Sequence, residues 1–227
     1  MDAATLSVVR NSGDSLRWRG GPENGTKIAV SYAPGGTSGP GHIRVLDMTS
    51  GELTGSYIPH LQTGEPVAAY QVMLLPDDQR VIVAGPSSDG CYVLVGDLKG
   101  GQTLLQFRRF GCSGEIVISP DTSFAVVSDP SSLANPETPP PGIDVIDLRN
   151  LRHLKRFGPA DFPVDQWDWF FQICFTADSK KVIVASRPKT TGWLYVINLA
   201  ELRVEDITWP DTGFARIGAL GYGPQPH

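Results

Sequence analysis

The segment Ile43-Arg44-Val45-Leu46-Asp47-Met48 runs through β-branched and aliphatic residues and then stops at an aspartate. Three later segments end in the same way, at residues 93–98, 143–148 and 194–199. The residues that close the four segments, Asp47, Asp97, Asp147 and Asn198, follow one another at intervals of 50, 50 and 51 positions. Aspartate and asparagine end strands because their side chains accept hydrogen bonds from backbone N–H groups of the following turn. This spacing indicates a repeated structural unit.

Each unit contains four apolar segments separated by turn signals. Pro76-Asp77-Asp78, Pro120-Asp121 and Ala177-Asp178 mark the turn between the first and second segments, and stretches rich in valine, isoleucine and alanine follow them. Such runs bounded by turn residues are typical of strands. No segment carries a sustained apolar stripe at helical spacing. We therefore expect four strands per unit, named A to D in chain order, and an all-β fold.

Units of this length with four strands are typical of the blades of a β-propeller, in which each blade buries both faces against its neighbours. The complete units cover about 15–58, 66–110, 113–157 and 168–209, and partial strands are expected at 5–10 and 220–224. We therefore expect residues 1–227 to form a single β-propeller domain or a fragment of a larger propeller. About four complete antiparallel blades predict either a very small ring or an incomplete one that remains an open arc.

The chain resembles WD-repeat and YVTN-type propellers over roughly residues 15–210. The segment Val45-Leu46-Asp47-Met48-Thr49-Ser50-Gly51-Glu52 is the most similar to the end of strand C in these families. The blades lack the tryptophan that precedes this aspartate in WD repeats, and they lack the Gly-His pair that opens a WD blade. The resemblance implies an interaction platform that presents one rim to a protein or peptide, for instance as the receptor part of a larger adaptor.

Composition and charge argue against several classes of partner. The net charge is −5 at pH 7, so no general attraction to nucleic acid or to anionic membranes is expected. No apolar run approaches the ~18 residues that a membrane-spanning helix needs, and the first residues lack a secretory signal pattern. We therefore expect an intracellular protein of the cytoplasm or nucleus that binds neither nucleic acid nor membranes.

The inventory of reactive residues is small. Cys91, Cys112 and Cys174 are an odd number of cysteines at unrelated spacings, which predicts reduced and partly buried thiols. None of the four histidines has a second histidine or cysteine at metal-ligand spacing. The glycine-rich stretch 35–41 has no lysine partner and opens no helix, so phosphate binding is not expected. We expect no catalytic residue, no metal and no cofactor.

Loop lengths distinguish the two rims of the expected propeller. The B-to-C and D-to-A loops share one rim, and their longest stretches are residues 33–41, 59–66, 129–142 and 159–168. The A-to-B and C-to-D turns share the opposite rim and are only a few residues long. We name these the long-loop rim and the short-turn rim. Because recognition usually resides in extended loops on a rigid scaffold, we expect the long-loop rim to bind the partner.

The densest candidate on the long-loop rim is the stretch 161–171. Its residues Asp165, Trp167, Asp168 and Trp169 combine aromatic contact area with carboxylate acceptors. This mixture suits the capture of a basic peptide or another cationic group. The alternative is that the aromatic residues pack between blades while the aspartates cap turns.

A second candidate is a polar ring at the mouth of the central channel. Alignment of the four A strands places Arg17, Gln71, Glu115 and Gln172 at one equivalent position. These side chains either orient a ligand that enters the channel or satisfy one another and the neighbouring backbone.

Two basic pairs, Arg108-Arg109 and Lys155-Arg156, end D strands. We expect them to be solvated edge charges that discourage pairing with other strands.

Three functions remain open on the sequence. The first is a non-enzymatic scaffold that binds a protein or peptide through the long-loop rim. The second is a lactonase-like or quinoprotein-like propeller enzyme, which the YVTN-type resemblance permits. The third is a structural fragment of a larger propeller protein. Self-association, or continuation of the repeat in another segment, would complete the ring.

Overall fold

The structure, a computed structural model, contains four antiparallel sheets of four strands, and in each sheet neighbouring strands are consecutive in the chain. It describes residues 15–18, 26–33, 41–109, 111–112, 114–129, 142–162, 172–186 and 193–207. Sheet 1 comprises β1 (Ser15–Trp18), β2 (Lys27–Ala33), β3 (His42–Asp47) and β4 (Leu53–Tyr57). Sheet 2 comprises β5 (Gln71–Leu74), β6 (Arg80–Ser87), β7 (Gly90–Asp97) and β8 (Thr103–Arg109). Sheet 3 comprises β9 (Ile116–Ile118), β10 (Phe124–Asp129), β11 (Gly142–Asp147) and β12 (Arg152–Phe157). Sheet 4 comprises β13 (Gln172–Phe175), β14 (Lys181–Ser186), β15 (Trp193–Asn198) and β16 (Arg203–Ile207).

The repeated all-β architecture predicted from the sequence is therefore confirmed. The strand bounds of the sheets fall within the four units inferred from the repeat. The division of the whole chain into one domain stays a prediction, and the partial strands expected at 5–10 and 220–224 lie outside the described residues.

The residues that close each C strand hold the following turn as the sequence predicts. Asp47 Oδ1 accepts hydrogen bonds from the backbone N–H groups of Thr49 and Ser50, at 2.8 and 3.1 Å. Asn198 Oδ1 accepts from Ala200 and Glu201, at 3.0 and 3.2 Å. Asp97 and Asp147 bind the two corresponding N–H groups in their own sheets. The same side-chain hydrogen bonds therefore end strand C in all four sheets.

The A-to-B turns use the same device together with a left-handed residue. Asp78, Thr122 and Ser179 have positive φ values of 57, 60 and 58°. The aspartate one position earlier accepts from the backbone in all three of these turns, with Asp121 Oδ1 3.0 Å from the N atom of Ser123 and Asp178 Oδ1 3.1 Å from the N atom of Lys180. Asp121 also links two sheets, because its backbone N–H donates to Ser179 Oγ at 3.0 Å. The short-turn rim is thus closed by local polar contacts.

The lowered pKa of Asp121 predicts that the protein loses stability in acid. Although partial burial opposes it, hydrogen bonds from Ser123, Ser119 and Ser179 lower the pKa of Asp121 to about 2. A carboxyl whose pKa is lower in the folded state stabilises that state above its unfolded pKa of about 4, and this stabilisation is lost as the pH falls towards 2. We therefore expect the difference in unfolding free energy between the wild type and Asp121→Asn to shrink between about pH 4 and pH 2. Urea unfolding at a series of pH values measures it, and a difference that stays constant over this window contradicts the assignment.

The apolar core is divided into three clusters, each shared by two successive sheets. The first joins sheets 1 and 2 and contains Ile43 and Leu94. The second joins sheets 2 and 3 and contains Val93 and Ile146, and the third joins sheets 3 and 4 around Phe157. Within the described part of the chain, none of these clusters joins sheet 4 to sheet 1. Four sheets with three shared cores are consistent with an incomplete ring.

Two glycines allow close contacts between sheets 1 and 2. A Cβ atom on Gly96 would lie 2.3 Å from the ring of Tyr57, which is fully buried. The Tyr57 hydroxyl lies 2.7 Å from Thr103 Oγ1, which donates in turn to the carbonyl of His60 at 2.6 Å. A Cβ atom on Gly85 would overlap the backbone of Ala68. A larger residue at Gly96 would push sheets 1 and 2 apart, and one at Gly85 would push the connection that carries Ala68 away from sheet 2.

Candidate functional site

The strand bounds place most of the long connections on one rim. Strand β2 ends at Ala33 and β3 begins at His42, while β10 ends at Asp129 and β11 begins at Gly142. The D-to-A connections are also long, with residues 58–70 between sheets 1 and 2 and residues 158–171 between sheets 3 and 4. Sheet 2 differs, because β6 and β7 extend to a tight turn at residues 88–89. The long-loop rim therefore carries a strand hairpin in sheet 2, a short connection of residues 110–115 between sheets 2 and 3, and the longer connections named above.

A buried ionic cluster lies where the strands of sheets 2 and 3 reach the long-loop rim. Arg156 of β12 donates to Asp129 Oδ2 at 2.8 Å and to Asp144 Oδ2 at 2.7 Å. Both carboxylates are at most 1 % exposed. His153 Nε2 lies 3.0 Å from Asp144 Oδ1, and the imidazole stacks on Phe107 of sheet 2 with ring centroids 4.1 Å apart. We name Arg109, Asp129, Asp144, His153 and Arg156 the rim cluster.

Arg109, the last residue of β8, is a fully enclosed cation of the rim cluster. Its side chain is 0 % exposed and donates from Nη2 to the carbonyl of Ser128 at 2.5 Å. Its guanidinium lies 3.8 Å from Asp129 and 4.0 Å from Asp144, while Nε and Nη1 have no hydrogen-bond partner among the described residues. Burial lowers the pKa of Arg109, and the two carboxylates act in the opposite direction. Arg109 thus ties the end of sheet 2 to the carboxylates of sheet 3.

The interpretation of the D-strand basic pairs as solvated edge charges is wrong for Arg109 and Arg156. Arg109 is fully enclosed and the Arg156 side chain is only 19 % exposed. Both guanidinium groups lie near the buried carboxylates of Asp129 and Asp144. A buried charge requires a compensating partner, and these carboxylates supply it. Arg108 is exposed, and it donates to the carbonyl of Asp89 at the tip of the sheet 2 hairpin.

The prediction of three reduced thiols is also wrong, because Cys91 and Cys112 form a disulfide. Their Cα atoms are 4.8 Å apart, within the usual range for this bond. Cys91 lies near the start of β7, and Cys112 lies in the D-to-A connection that leads to sheet 3. The residue before Cys112, Gly111, donates its backbone N–H to Asp129 at 2.8 Å. The disulfide and the rim cluster therefore fix the same connection.

Cys174 is the free thiol among the described residues and is half-buried. Burial raises its pKa, and the negative charge of Glu115 adds to this effect. A thiol in such surroundings is mostly protonated at neutral pH and is a poor nucleophile.

The connection between sheets 1 and 2 is held to the sheet 2 hairpin by polar contacts. Glu65 accepts from the backbone N–H of Ser88 at 2.9 Å and from Ser87 Oγ at 2.8 Å. Hydrogen bonds from Ser88 and Ser87 lower the pKa of Glu65. The backbone N–H of Ala68 donates to the carbonyl of Pro86 at 2.8 Å. A second loop of the long-loop rim is thus fixed against a strand pair.

Strand register places the four residues of the expected polar ring at equivalent positions. Arg17, Gln71 and Gln172 pair with Ser31, Ala84 and Ala185, respectively. Glu115 occupies the matching position in sheet 3, because its backbone N–H donates to Ser128 Oγ at 2.8 Å and its carbonyl accepts from the Ser128 N–H at 2.9 Å. Binding of a ligand by this ring stays a prediction.

Glu115 is the member of this ring whose carboxyl has a shifted pKa. The residue as a whole is exposed, but neighbouring atoms bury part of its carboxyl group, and the loss of hydration raises the pKa of Glu115. A hydrogen bond from the backbone N–H of Ile173 in sheet 4 opposes this shift. Glu115 therefore reaches the inner strand of the next sheet.

The aromatic and acidic site predicted on the long-loop rim lies outside the described residues. It comprises Asp165, Trp167, Asp168 and Trp169. The adjacent residues 159–161 form a 3-10 turn. Asp161, at the end of this turn, accepts from the backbone N–H of Gly158 at 2.9 Å and pairs with Lys155 at 2.8 Å. The chain thus enters the predicted stretch from a turn that is tied to β12.

Sequence reasoning missed the rim cluster and the disulfide. One signal was present: Asp144 interrupts the apolar segment 143–148 at a position occupied by Leu94 and Tyr195 in sheets 2 and 4. A carboxylate on the buried face of a strand requires a cationic partner. The basic residues that end neighbouring D strands were the available candidates.

The described residues include no group of three or more histidine, cysteine, aspartate or glutamate side chains arranged to hold a metal ion. Over the same ranges, no helix is long and apolar enough to cross a membrane.

Solved structures with the same arrangement of sheets identify the fold. The β-propeller domain of Cps50 (Swd1) from Myceliophteria thermophila superposes with a TM-score of 0.52 at 14% identity, covering 86% of this chain and 55% of that one. The described chain has a β-propeller fold. Hydrazine synthase from Kuenenia stuttgartiensis superposes with a TM-score of 0.53 at 12% identity, covering 81% of this chain and 52% of that one. TolB from Acinetobacter baumannii matches at 16% identity with a TM-score of 0.49, over 86% of this chain and 44% of that one.

The propeller spans about half the length of the solved chains that it matches. No protein-family model and no curated protein matches its sequence. At these identities the likeness concerns the propeller fold alone, and each sheet described above is one blade of it.

Proposed function

We propose that this chain is a non-enzymatic scaffold that binds a protein or peptide through the long-loop rim of its propeller. The observation that carries the proposal is the rim cluster between sheets 2 and 3. Arg109, Asp129 and Asp144 are at most 1 % exposed and lie at the roots of two rim connections. Of the four charged residues that are buried in the described part of the chain, three lie here.

The rim cluster preorganises the connections of the long-loop rim for binding. A buried ion pair adds little to stability, because desolvation of the charges offsets most of their attraction. Such groups do require one specific geometry to satisfy one another, and here that geometry joins the end of β8 to β10 and β11. The Cys91–Cys112 disulfide restrains the same connection. Loops with fixed roots lose less conformational freedom on binding, which favours affinity.

The chemistry of the proposed partner follows from the residues that the sequence predicts on the long-loop rim. Asp165, Trp167, Asp168 and Trp169 offer aromatic surface and carboxylate acceptors in a chain whose net charge is −5. Aromatic side chains beside carboxylates are suited to lysine and arginine side chains. The proposed partner is therefore a protein segment with exposed basic residues.

Affinity capture with paired variants tests this proposal. We expect the double variant Asp165→Ala, Trp167→Ala to lose at least tenfold of the captured partner, because truncation of central aromatic and charged contacts costs about 1.4 kcal/mol or more. The control, Lys99→Ala with Gln102→Ala, alters exposed residues of the short-turn rim and is expected to retain capture. Quantitative mass spectrometry of material captured by the three proteins gives the comparison. Equal loss with both double variants, or retention with both, contradicts binding through the long-loop rim.

The enzymatic alternative has its own readout in the same samples. The raised pKa of Glu115 beside the inner strand of sheet 4 makes it the described acid to test. Turnover in a panel of lactone and ester substrates that disappears in Glu115→Gln would favour an enzyme over a scaffold.

A further inference from the structure

We propose that two copies of this chain pair through their end sheets, with sheet 4 of each copy against sheet 1 of the other, to close a ring of eight sheets. This inference is independent of the function of the long-loop rim. It rests on a comparison of equivalent positions in the four sheets.

Each sheet has two faces that can be defined from the shared cores. The forward face contacts the next sheet in the chain, and the backward face contacts the preceding one. Strand register defines three sets of equivalent residues on the forward face, and each set has one residue from each of sheets 1 to 4 in that order. The sets are Ala29, Ile82, Val126 and Ile183; Ile43, Val93, Ile143 and Leu194; and Val45, Val95, Val145 and Val196. The same register defines two sets on the backward face, again in the order of sheets 1 to 4. They are Ile28, Val81, Ala125 and Val182; and Leu46, Gly96, Ile146 and Ile197.

The forward face of sheet 4 is less covered than its equivalents. All nine forward residues of sheets 1 to 3 in these sets are at most 2 % exposed. In sheet 4, Val196 is 5 % exposed, whereas Ile183 and Leu194 are half-buried although they are as apolar as their equivalents. Apolar residues at an interface position that remain accessible to water indicate a face that the described residues cover only in part.

The backward face of sheet 1 shows the same deficit. The equivalent residues in sheets 2, 3 and 4 are buried, whereas Ile28 and Leu46 of sheet 1 are half-buried. Arg44 lies on this face too, at the position of Leu94 in sheet 2. Its Nε is enclosed but has no hydrogen-bond partner in the described part of the chain, while Nη2 donates to the carbonyl of Leu53 at 2.8 Å. An acceptor on a covering sheet would satisfy this nitrogen.

The two deficient faces are the two halves of one repeated interface. A forward face packs on a backward face three times within the chain. In two of these contacts the residues equivalent to Ile183 and Leu46 share an apolar cluster. These pairs are Ile82 with Ile146 and Val126 with Ile197. A second copy supplies the missing half to each end. A forward face on a backward face is a heterologous contact, which gives a closed assembly when the rotation returns to its start.

The lengths of the matched structures support a second copy as the occupant. The chain covers 52 to 55% of the two solved chains with which it shares the propeller fold. The matched parts of two copies together therefore have about the length of one of those structures. Eight blades also lie within the range in which propellers close.

Charge variants with a complementation arm test the pairing. Light scattering coupled to size exclusion should give the wild type a mass of twice 24.5 kDa above about 10 µM, because paired sheet faces are expected to bind with micromolar or tighter affinity. Ile183→Asp and Leu46→Lys should each be monomeric, since each places an unpaired charge in both junctions of a dimer. An equimolar mixture of the two should regain the dimer mass, because its mixed dimer has one native junction and one Asp–Lys junction.

Matched controls and opposing outcomes complete the experiment. Ala200→Asp and Gln102→Lys introduce the same charges at exposed turn residues and should remain dimeric. Native mass spectrometry of the wild type alone decides the case if a face variant fails to fold. A wild type that is monomeric throughout, a ladder of larger species, or a dimer that both face variants retain would overturn the proposal. Of these, a monomer would mean that other residues of the same chain cover the two faces.

Discussion

Replacing Asp144 by alanine is expected to lower the free energy of unfolding by about 3–5 kcal/mol, the range for removing one partner of a buried ion pair. Asp144 accepts from Arg156 at 2.7 Å and lies 3.0 Å from His153 Nε2. Without it, Arg109 and Arg156 share the single carboxylate of Asp129 in an enclosed site. Urea unfolding followed by tryptophan fluorescence measures the change.

An exposed ion pair is the matched control for this substitution. Glu201 pairs with Arg203, and both side chains are more than half exposed. Glu201→Ala is expected to change the unfolding free energy by less than about 1 kcal/mol, because water and salt screen such pairs. If Asp144→Ala costs no more than Glu201→Ala, the rim cluster does not hold sheets 2 and 3 together.

Reduction of the Cys91–Cys112 disulfide is expected to lower the free energy of unfolding by about 3 kcal/mol. The bond closes a loop with a sequence separation of 21, and opening it increases the conformational entropy of the unfolded chain. The loop includes β8 and the connection that carries Gly111 against Asp129. Unfolding curves recorded with and without reductant give the difference.

A double variant and a thiol count control this measurement. Cys91→Ser with Cys112→Ser should unfold identically with and without reductant, at the stability of the reduced wild type. The denatured wild type should react with one equivalent of thiol reagent before reduction and with three afterwards, because the sequence has three cysteines. Three reactive thiols before reduction would show that the bond does not form.

The repeat predicted much of the fold because its signals are local. The apolar run and the terminal acceptor at Asp47, Asp97, Asp147 and Asn198 specify a strand and its turn within a few residues. The same local alignment placed Arg17, Gln71, Glu115 and Gln172 at equivalent positions, and strand register agrees with that placement. The channel-mouth function of these residues stays a prediction.

The rim cluster was missed because it depends on contacts between sheets. Arg109 looks like any basic residue at a strand end until Asp129 and Asp144 of the next sheet are placed beside it. Cys91 and Cys112 belong to different segments of the repeat, and their approach depends on the path of one connection. Asp144 in an apolar segment indicates that a cationic partner is needed, but spacing along the chain does not show which residue supplies it or that the two cysteines meet. Trp167 and its neighbours remain candidates from composition alone.

The turn after strand C shows which chemical property the repeat unit conserves from copy to copy. Three copies use a carboxylate there, while Asn198 offers an uncharged amide oxygen to the same two backbone donors. The common requirement is a short side chain with a correctly placed lone pair, and the negative charge is dispensable. Divergence among the copies can therefore remove formal charge from this rim while each hairpin keeps its shape.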